Sequence, residues 1–250
     1  MAAIVCKAHG VIGAGRSLLQ ATGFLADEVF LKGMDLTSLQ QDIQQGCIAL
    51  HIDVPDTAAE KLSGFIGLLE KWTRVYNLTA VRDPRAMVVR HILDSLVVLP
   101  YLSPGNLLDV GTGAGLPGLP IAIARPELSV TLLDANAKKL RFVRQAVFEL
   151  GLDNVEVVQS RMQEYQPARS FDMVISRAVA NLGELYRQTA RLVRPGGRIL
   201  FMKGSLPAEE IQKLDPGRET LHIERLKIPG LKAERHLLWM EKTLESSTET

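Results

Sequence analysis

The stretch Leu107-Leu-Asp-Val-Gly-Thr-Gly-Ala-Gly-Leu-Pro-Gly118 constrains this chain more than any other. A short apolar run ends in Asp109, glycines follow at 111, 113, 115 and 118, and a helix-permissive segment comes next. Glycine brings no Cβ, so such a loop lets the backbone approach a ligand closely. Pro117 suits the first turn of the following helix, where a missing N–H costs nothing. A strand, a glycine loop and a helix in that order form a site for a nucleotide-class ligand.

The spacing by itself leaves three readings open. Gly113-Ala-Gly115-Leu-Pro-Gly118 satisfies the G-x-G-x-x-G pattern of dinucleotide sites, a weak signal alone. Asp109 opposes it, because a carboxylate just ahead of the first glycine repels a pyrophosphate across a low-dielectric crevice. The same charge attracts an ammonium or sulfonium, which suits S-adenosylmethionine. The third reading is a tight turn with no ligand.

Composition narrows the rest. With 250 residues, the chain is long enough for one large domain and a small appendage. A content of 46% apolar and 23% charged residues is that of an ordinary globular protein. The net charge of +1 predicts, by whole-chain balance, no nucleic-acid partner, so any basic surface must be local. Cys6 and Cys47 make neither a C-x-x-C nor a metal spacing, which predicts a reducing cytoplasm, no disulfide framework and no metal. No apolar run reaches membrane-spanning length, and no membrane partner is expected.

Along the chain, residues 1–33 have no period that docks on a core. Lys7 and Arg16 faintly suggest a targeting peptide, but an extension upstream of a natural start at Met34 is the preferred reading, with poor packing expected. Residues 34–104 read as a helical region. Leu39, Ile43, Ile48 and Leu50 open it, and Asp56 is placed as an N-cap. Leu62, Phe65, Ile66, Leu69, Trp72, Val75 and Tyr76 then mark an amphipathic helix. Asn77 to Pro84 is a loop, and Met87 to Leu99 a further helix. Residues 105–242 alternate strand and helix as in a doubly wound sheet. The strands are Leu107–Val110, Val130–Leu133, Val155–Gln159, Phe171–Ser176 and Arg198–Lys203. The helices are Gly118–Arg125, Lys138–Leu150 and Leu182–Val193, and Leu221–Ile228 with His236–Met240 suits an antiparallel pair. Residues 243–250 are a polar tail.

Asp134 ends the second strand, where an open sheet has its crevice; it either accepts ribose hydroxyls or caps the helix starting near Asn136. Met162 and Gln163 fall where an adenine would lie, their backbone N–H groups supplying any contact. Ser176 and Arg177 stand at the end of the fourth strand, and Arg177 suits a carboxylate or phosphate, with a structural salt bridge as the alternative. Basic residues cluster despite the neutral total: Arg74, Arg82, Arg85, Arg90 and His91; Lys138, Lys139, Arg141 and Arg144; and Arg161. They read as a phosphate-binding face or as solvated helix surface. Arg90-His91 beside Asp94-Ser95 reads as a polar cluster at a pocket mouth or as a helix cap with a surface histidine.

Taken together, Tyr76-Asn-Leu-Thr-Ala-Val-Arg-Asp-Pro84, Val89-Arg-His-Ile-Leu-Asp-Ser95, the Asp109–Gly118 loop, Gln159-Ser-Arg161, Ile175-Ser-Arg-Ala178, Met202-Lys-Gly204 and Glu234-Arg-His236 resemble the RsmG (GidB) family. The resemblance runs from about Leu36 to Met240. It implies a Rossmann-like class I methyltransferase fold with a small N-terminal helical region, and S-adenosylmethionine as cofactor. It also implies methylation of guanine N7 in the 530 loop of 16S rRNA, guanine 527, with the RNA or the small ribosomal subunit as partner to a monomer. Carried over, Gly111 and Leu116 line the methionine end, Met162 and Gln163 the adenine, and Arg177 the cofactor and substrate pocket. Asp109, Gly113 and Asp134 complete the cofactor set. Asn77, His91, Lys138, Arg161 and Lys203 match positions serving the RNA or the site, and the catalytic candidates are Arg177, His91, Lys138 and Arg161. Gln163 replaces the family's usual Glu, and Val179 a common aromatic. Asp94 is an acidic group for stabilising the cationic product base. A nucleotide-dependent oxidoreductase and a non-catalytic RNA-binding module on the same fold are the competing classes.

Overall fold

In the computed structural model of the chain, residues 35–177, 181–206, 208–212 and 220–243 are described. Residues 1–33, Val179 and the polar tail after Glu241, apart from Lys242 and Thr243, lie outside them.

Helix α1 (Leu36–Ala49) buries Leu39 and Ile43 but turns Ile48 outward. Helix α2 (Asp56–Tyr76) buries Leu62, Phe65, Ile66 and Leu69 at the predicted spacing. Pro55, not Asp56, is its N-cap, and no side chain caps it there. Asn77 ends it in the left-handed conformation, φ 50°, with its N–H donating to Thr73 O.

Helix α3 departs from the regular helix expected over Met87 to Leu99. It is compound: an α turn Pro84–Met87, a π-helical stretch Val88–Leu93, and a last turn Asp94–Leu96. Asp83 caps it by accepting from Ala86 N at 2.9 Å, with Pro84 at the first helical position. Apolar periodicity over three turns does not register one extra residue in the middle turn, and such insertions occur often at functional sites.

The sheet comprises β1 (Asn106–Val110), β2 (Ser129–Asp134), β3 (Val155–Gln159), β4 (Phe171–Arg177), β5 (Val193–Lys203), β6 (Leu221–Leu226) and β7 (Arg235–Glu241). Between them lie α4 (Gly118–Ala124), α5 (Ala137–Glu149), α6 (Leu182–Thr189) and α7 (Ala208–Gln212). Strand order is β3-β2-β1-β4-β5-β7-β6, parallel except where β7 runs antiparallel to both β5 and β6. This is the doubly wound, Rossmann-like arrangement that the alternation predicts. Strands β1, β2 and β4 read as nearly unbroken apolar runs because helices cover both faces. On one face, Leu108, Val110, Val174 and Phe201 pack with Leu182 and Leu185 of α6. Alternation sends Asp109 to the other face. The chain moves outward from β1 to β3 and then returns to place β4 on β1's other side. That reversal opens a crevice at the carboxyl ends of β1 and β4, where ligands of such sheets bind.

Candidate active site

The glycine loop leaves β1 at the crevice. Gly111 and Thr112 both donate to Leu133 O, at 2.8 and 3.1 Å, which ties the loop to the end of β2. Gly111, Gly113 and Gly115 have φ of 71°, 59° and 80°, values a side chain rarely adopts. A Cβ on Gly113 would meet nothing closer than 3.9 Å, so the loop keeps open space above it. At Gly118 a Cβ would lie 2.2 Å from Leu132 Cδ2, so glycine is what lets α4 sit against β2. Pro117 is the N-cap, one place earlier than the first-turn position its sequence suggests.

Asp109 is fully buried. Its Oδ2 accepts from Thr112 Oγ1 at 2.7 Å and Gly118 N at 2.9 Å, while Oδ1 has no hydrogen-bond partner. Burial raises the carboxyl from 3.8 to about 6, against the two hydrogen bonds and the charge of Arg177. The sequence suggested a carboxylate facing a ligand; the fold buries it and makes it the brace of the loop. Asp134 is committed locally too: Oδ2 accepts from Gly113 N at 2.8 Å and Oδ1 from Asn136 N at 2.7 Å. The α5 cap is Asn136, whose Oδ1 accepts from Lys138 N and Lys139 N, so Asp134 is not the cap. These residues suit a cationic ligand: open backbone at Gly113, in a loop held through Thr112 and Gly118 to a buried carboxylate with one oxygen unsatisfied. Among the described residues no group of three or more His, Cys, Asp or Glu could hold a metal ion.

Beside the loop lies a cavity of about 410 Å³, lined by Val81, Arg90, His91, Asp94, Arg177, Met202, Lys203, Gly204 and Arg235. Ser176 anchors the end of β4 to β1 by donating to Val110 O at 2.9 Å, and Arg177 follows into the cavity. The Asp94 carboxylate, 3% exposed, is divided between Arg177 Nη1 at 3.3 Å and Arg235 Nε at 2.6 Å. Arg177 therefore makes a protein ion pair, the structural alternative, while still facing the cavity. Asp94 has both oxygens engaged by guanidinium groups and offers no free charge to a cationic base, unlike the sequence reading. Lys203 Nζ stands 3.6 Å from Glu210 Oε2. Four cations face two carboxylates, Asp94 and the Glu210 partner of Lys203, and the excess leaves the cavity positive, suited to an anionic ligand.

His91 is buried, not a surface histidine. Its Nδ1 donates to Arg90 O at 3.0 Å, which leaves Nε2 to accept from the Thr79 hydroxyl at 2.8 Å. Burial first, then the Arg177 charge, lowers the imidazole to about 4. Neutral and bonded at both nitrogens, it braces the loop before α3 and is unsuited to proton transfer at neutral pH.

The fold separates the other candidates. Lys138 and Arg161 are exposed and line no part of the cavity. Lys139 instead stands over the loop, its Nζ 3.9 Å from where a Gly113 Cβ would be. The Met162 side chain packs against the core, and the Met162 and Gln163 carbonyls accept from Arg191 Nη2 at 2.6 and 3.4 Å. Asn77 Oδ1 accepts from Arg82 at 2.7 Å. Arg235 was missed as a site residue; its only sequence signal is its place in Glu234-Arg-His236.

The model of the GidB family, described as rRNA small subunit methyltransferase G, matches residues 58–238. The chain belongs to the RsmG (GidB) family. Its relatives include the ribosomal RNA small subunit methyltransferase G of Alkalilimnicola ehrlichii, 48% identical over 83% of this chain and 94% of that protein. The protein of the same name from Serratia proteamaculans is 48% identical over 80% of this chain and 98% of its own length. A SAM dependent methyltransferase from Aquifex aeolicus shares the fold, with a TM-score of 0.50, 18% identity and coverage of 66% and 96% of the two chains. The Rossmann-like methyltransferase fold that the sequence predicts is thus found. No helix among the described residues is long and apolar enough to cross a membrane.

Proposed function

We propose that this member of the RsmG family transfers a methyl group from S-adenosylmethionine to N7 of a guanine in the 530 loop of 16S rRNA, guanine 527 by family resemblance. The observation that carries the reading is the juxtaposition at one sheet reversal of a glycine loop over a buried, half-satisfied Asp109 with a positive cavity. Asp109, Gly111, Gly113 and Leu116 hold the methionine end of the cofactor, Asp134 the ribose, and Met162 and Gln163 flank the adenine. Bound there, S-adenosylmethionine supplies an electrophilic methyl group on a sulfonium.

Guanine N7 carries an in-plane lone pair and no proton, so methyl transfer to it, with the S–CH3 bond broken and the thioether leaving neutral, would need no general base. A buried, neutral His91 fits this economy. What remains for the protein is alignment and exclusion of water. Arg177, with Arg90, Lys203 and Arg235 around it, holds the phosphate of the target nucleotide. Asp94 keeps Arg177 in place by sharing its carboxylate with Arg235. Lys138 and Arg161, outside the cavity, serve the RNA beyond the target base.

Mass mapping of rRNA from cells with and without the protein tests the reaction. The 530-loop fragment is expected to lose one methyl mass without it; equal masses would sink the reading. Calorimetric titration tests the cofactor, and a protein that binds NAD but not S-adenosylmethionine would favour the oxidoreductase.

A further inference from the structure

The apolar stripe of α2 runs past the core. Val75 and Tyr76 belong to the stripe by spacing yet are 72% and 45% exposed. Tyr76 is nonetheless fixed. It stacks on Trp72 with centroids 5.2 Å apart and planes at 27°, and Trp72 rests against Phe142 of α5 at 5.8 Å. The helix end beneath it is pinned by Arg82, which donates to Thr73 O at 2.9 Å and Asn77 Oδ1 at 2.7 Å. An aromatic column backs one face of the ring, and nearly half of the residue stays exposed.

The placement of that ring follows from helix packing. Lys61 Nζ bonds Gly151 O at 3.2 Å, and a Cβ on Gly64 would meet Leu150 Cδ2 at 3.4 Å. Phe65 and Trp72 both touch Phe142. Helices α2 and α5 are therefore antiparallel, and the Tyr76 end of α2 is level with the first turn of α5, which carries exposed Lys138. The loop after Tyr76 reaches the cavity wall at Val81.

We propose that Tyr76 is a stacking platform for an unpaired base of the substrate RNA, with Lys138 meeting a neighbouring phosphate; this rests on the RNA-methylation reading. Every base has a π face, and an aromatic ring beside a cation suits a single-stranded nucleotide of any sequence. A ring already immobilised on Trp72 loses little further freedom when a base stacks on it.

The test measures binding of two fluorescently labelled RNAs to the full chain: a synthetic hairpin with an unpaired loop, and a fully paired duplex of equal length. Tyr76→Leu is expected to weaken the hairpin about tenfold and to leave the duplex unchanged, because only an unpaired base can stack. Tyr76→Trp keeps hairpin affinity. Lys138→Ala weakens both RNAs and lowers the salt slope by about one. Hairpin affinity in Tyr76→Leu equal to wild type overturns the proposal alone, as does an equal loss on both RNAs. A wild-type chain that binds S-adenosylmethionine but neither RNA overturns the RNA reading and this proposal with it. Should Tyr76→Leu fail to fold, photo-crosslinking of a 5-iodouridine hairpin to the wild-type chain decides. The crosslinked peptide is expected to contain Tyr76, and a crosslink confined to other peptides overturns the platform.

Discussion

A carboxylate ahead of a glycine loop reads, in sequence, as a charge offered to a ligand. In the fold Asp109 also holds the loop, through Thr112 and Gly118. Asp109→Ala is therefore expected to lower both the affinity for S-adenosylmethionine and the melting temperature; calorimetry beside a melting curve checks this, and an unchanged melting temperature would remove the bracing role. The pH dependence separates Asp109 from His91. Asp109 is raised from 3.8 to about 6, so the folded state holds its extra proton and stability falls as pH rises through that window. His91 is lowered from 6.5 to about 4, so the unfolded state holds the extra proton and stability rises with pH there. The two slopes oppose each other. In Asp109→Asn only the His91 slope survives, and the melting temperature is expected to climb more steeply than in wild type between about pH 4 and 6.5. Equal slopes would show that the Asp109 carboxyl is not raised by its burial, and a flat curve in Asp109→Asn that His91 is not held neutral. For Arg177, substitution by Lys is expected to lose most methyl transfer while leaving the melting curve near wild type, since an ammonium cannot span Asp94 and a ligand as a planar fork does. Full activity in Arg177→Lys would reduce its role to that of a point charge.

At the scale of elements, the glycine loop and α4 separate conformation from contact. Gly113 stands in open space at φ 59°, whereas a Cβ on Gly118 would come within 2.2 Å of Leu132 and 2.8 Å of Asp109 Oδ2. Gly113→Ala is expected to cost about 1–2 kcal/mol of stability through its backbone conformation and to weaken cofactor binding by filling the cradle. Gly118→Ala forces α4 away from β2 and is expected to cost about 1–3 kcal/mol by overpacking. Denaturant titrations rank the two, and Gly118→Ala as mild as Gly113→Ala would mean α4 shifts freely. The strands were legible because each is a short apolar run between turn residues, and β1 to β4 lie within a residue or so of their predicted bounds. The π-helical stretch of α3 was not, because the apolar period carries through it. Tyr76 was legible as an apolar position but not as an exposed one, since spacing tells which residues share a helix face and not where the neighbouring helix ends.

At the scale of the molecule, Asp94 joins three parts of the chain. It sits on α3 and bonds Arg177 on β4 and Arg235 on β7, 83 and 141 residues away. Asp94→Asn leaves two guanidinium groups without their charge partner. Both keep some exposure, 21% and 24% of the side chain, so the expected cost is about 2–3 kcal/mol, below that of a fully dry pair. Turnover is expected to fall more than stability, as Arg177 and Arg235 lose their common anchor. Methyl transfer measured beside urea denaturation checks this, and wild-type turnover would mean that Arg177 holds its place unaided.

By itself the sequence determined the class of fold, the loop at its centre and the alternation of strands and helices along the chain. Those rest on local rules: which residues tolerate positive φ, which alternate, and which end a run. It also carried the family, through short motifs spread over most of the chain. The tertiary structure decided the order of strands across the sheet and which of the basic residues meet. Arg177, Arg235, Arg90 and Lys203 gather around one cavity while Lys138 and Arg161 stay outside it, and His91 is buried rather than displayed. Charge is a property of a residue, but its partner is set by which strand ends and helices the sheet brings side by side, and a sequence separation of 141 residues holds no trace of that.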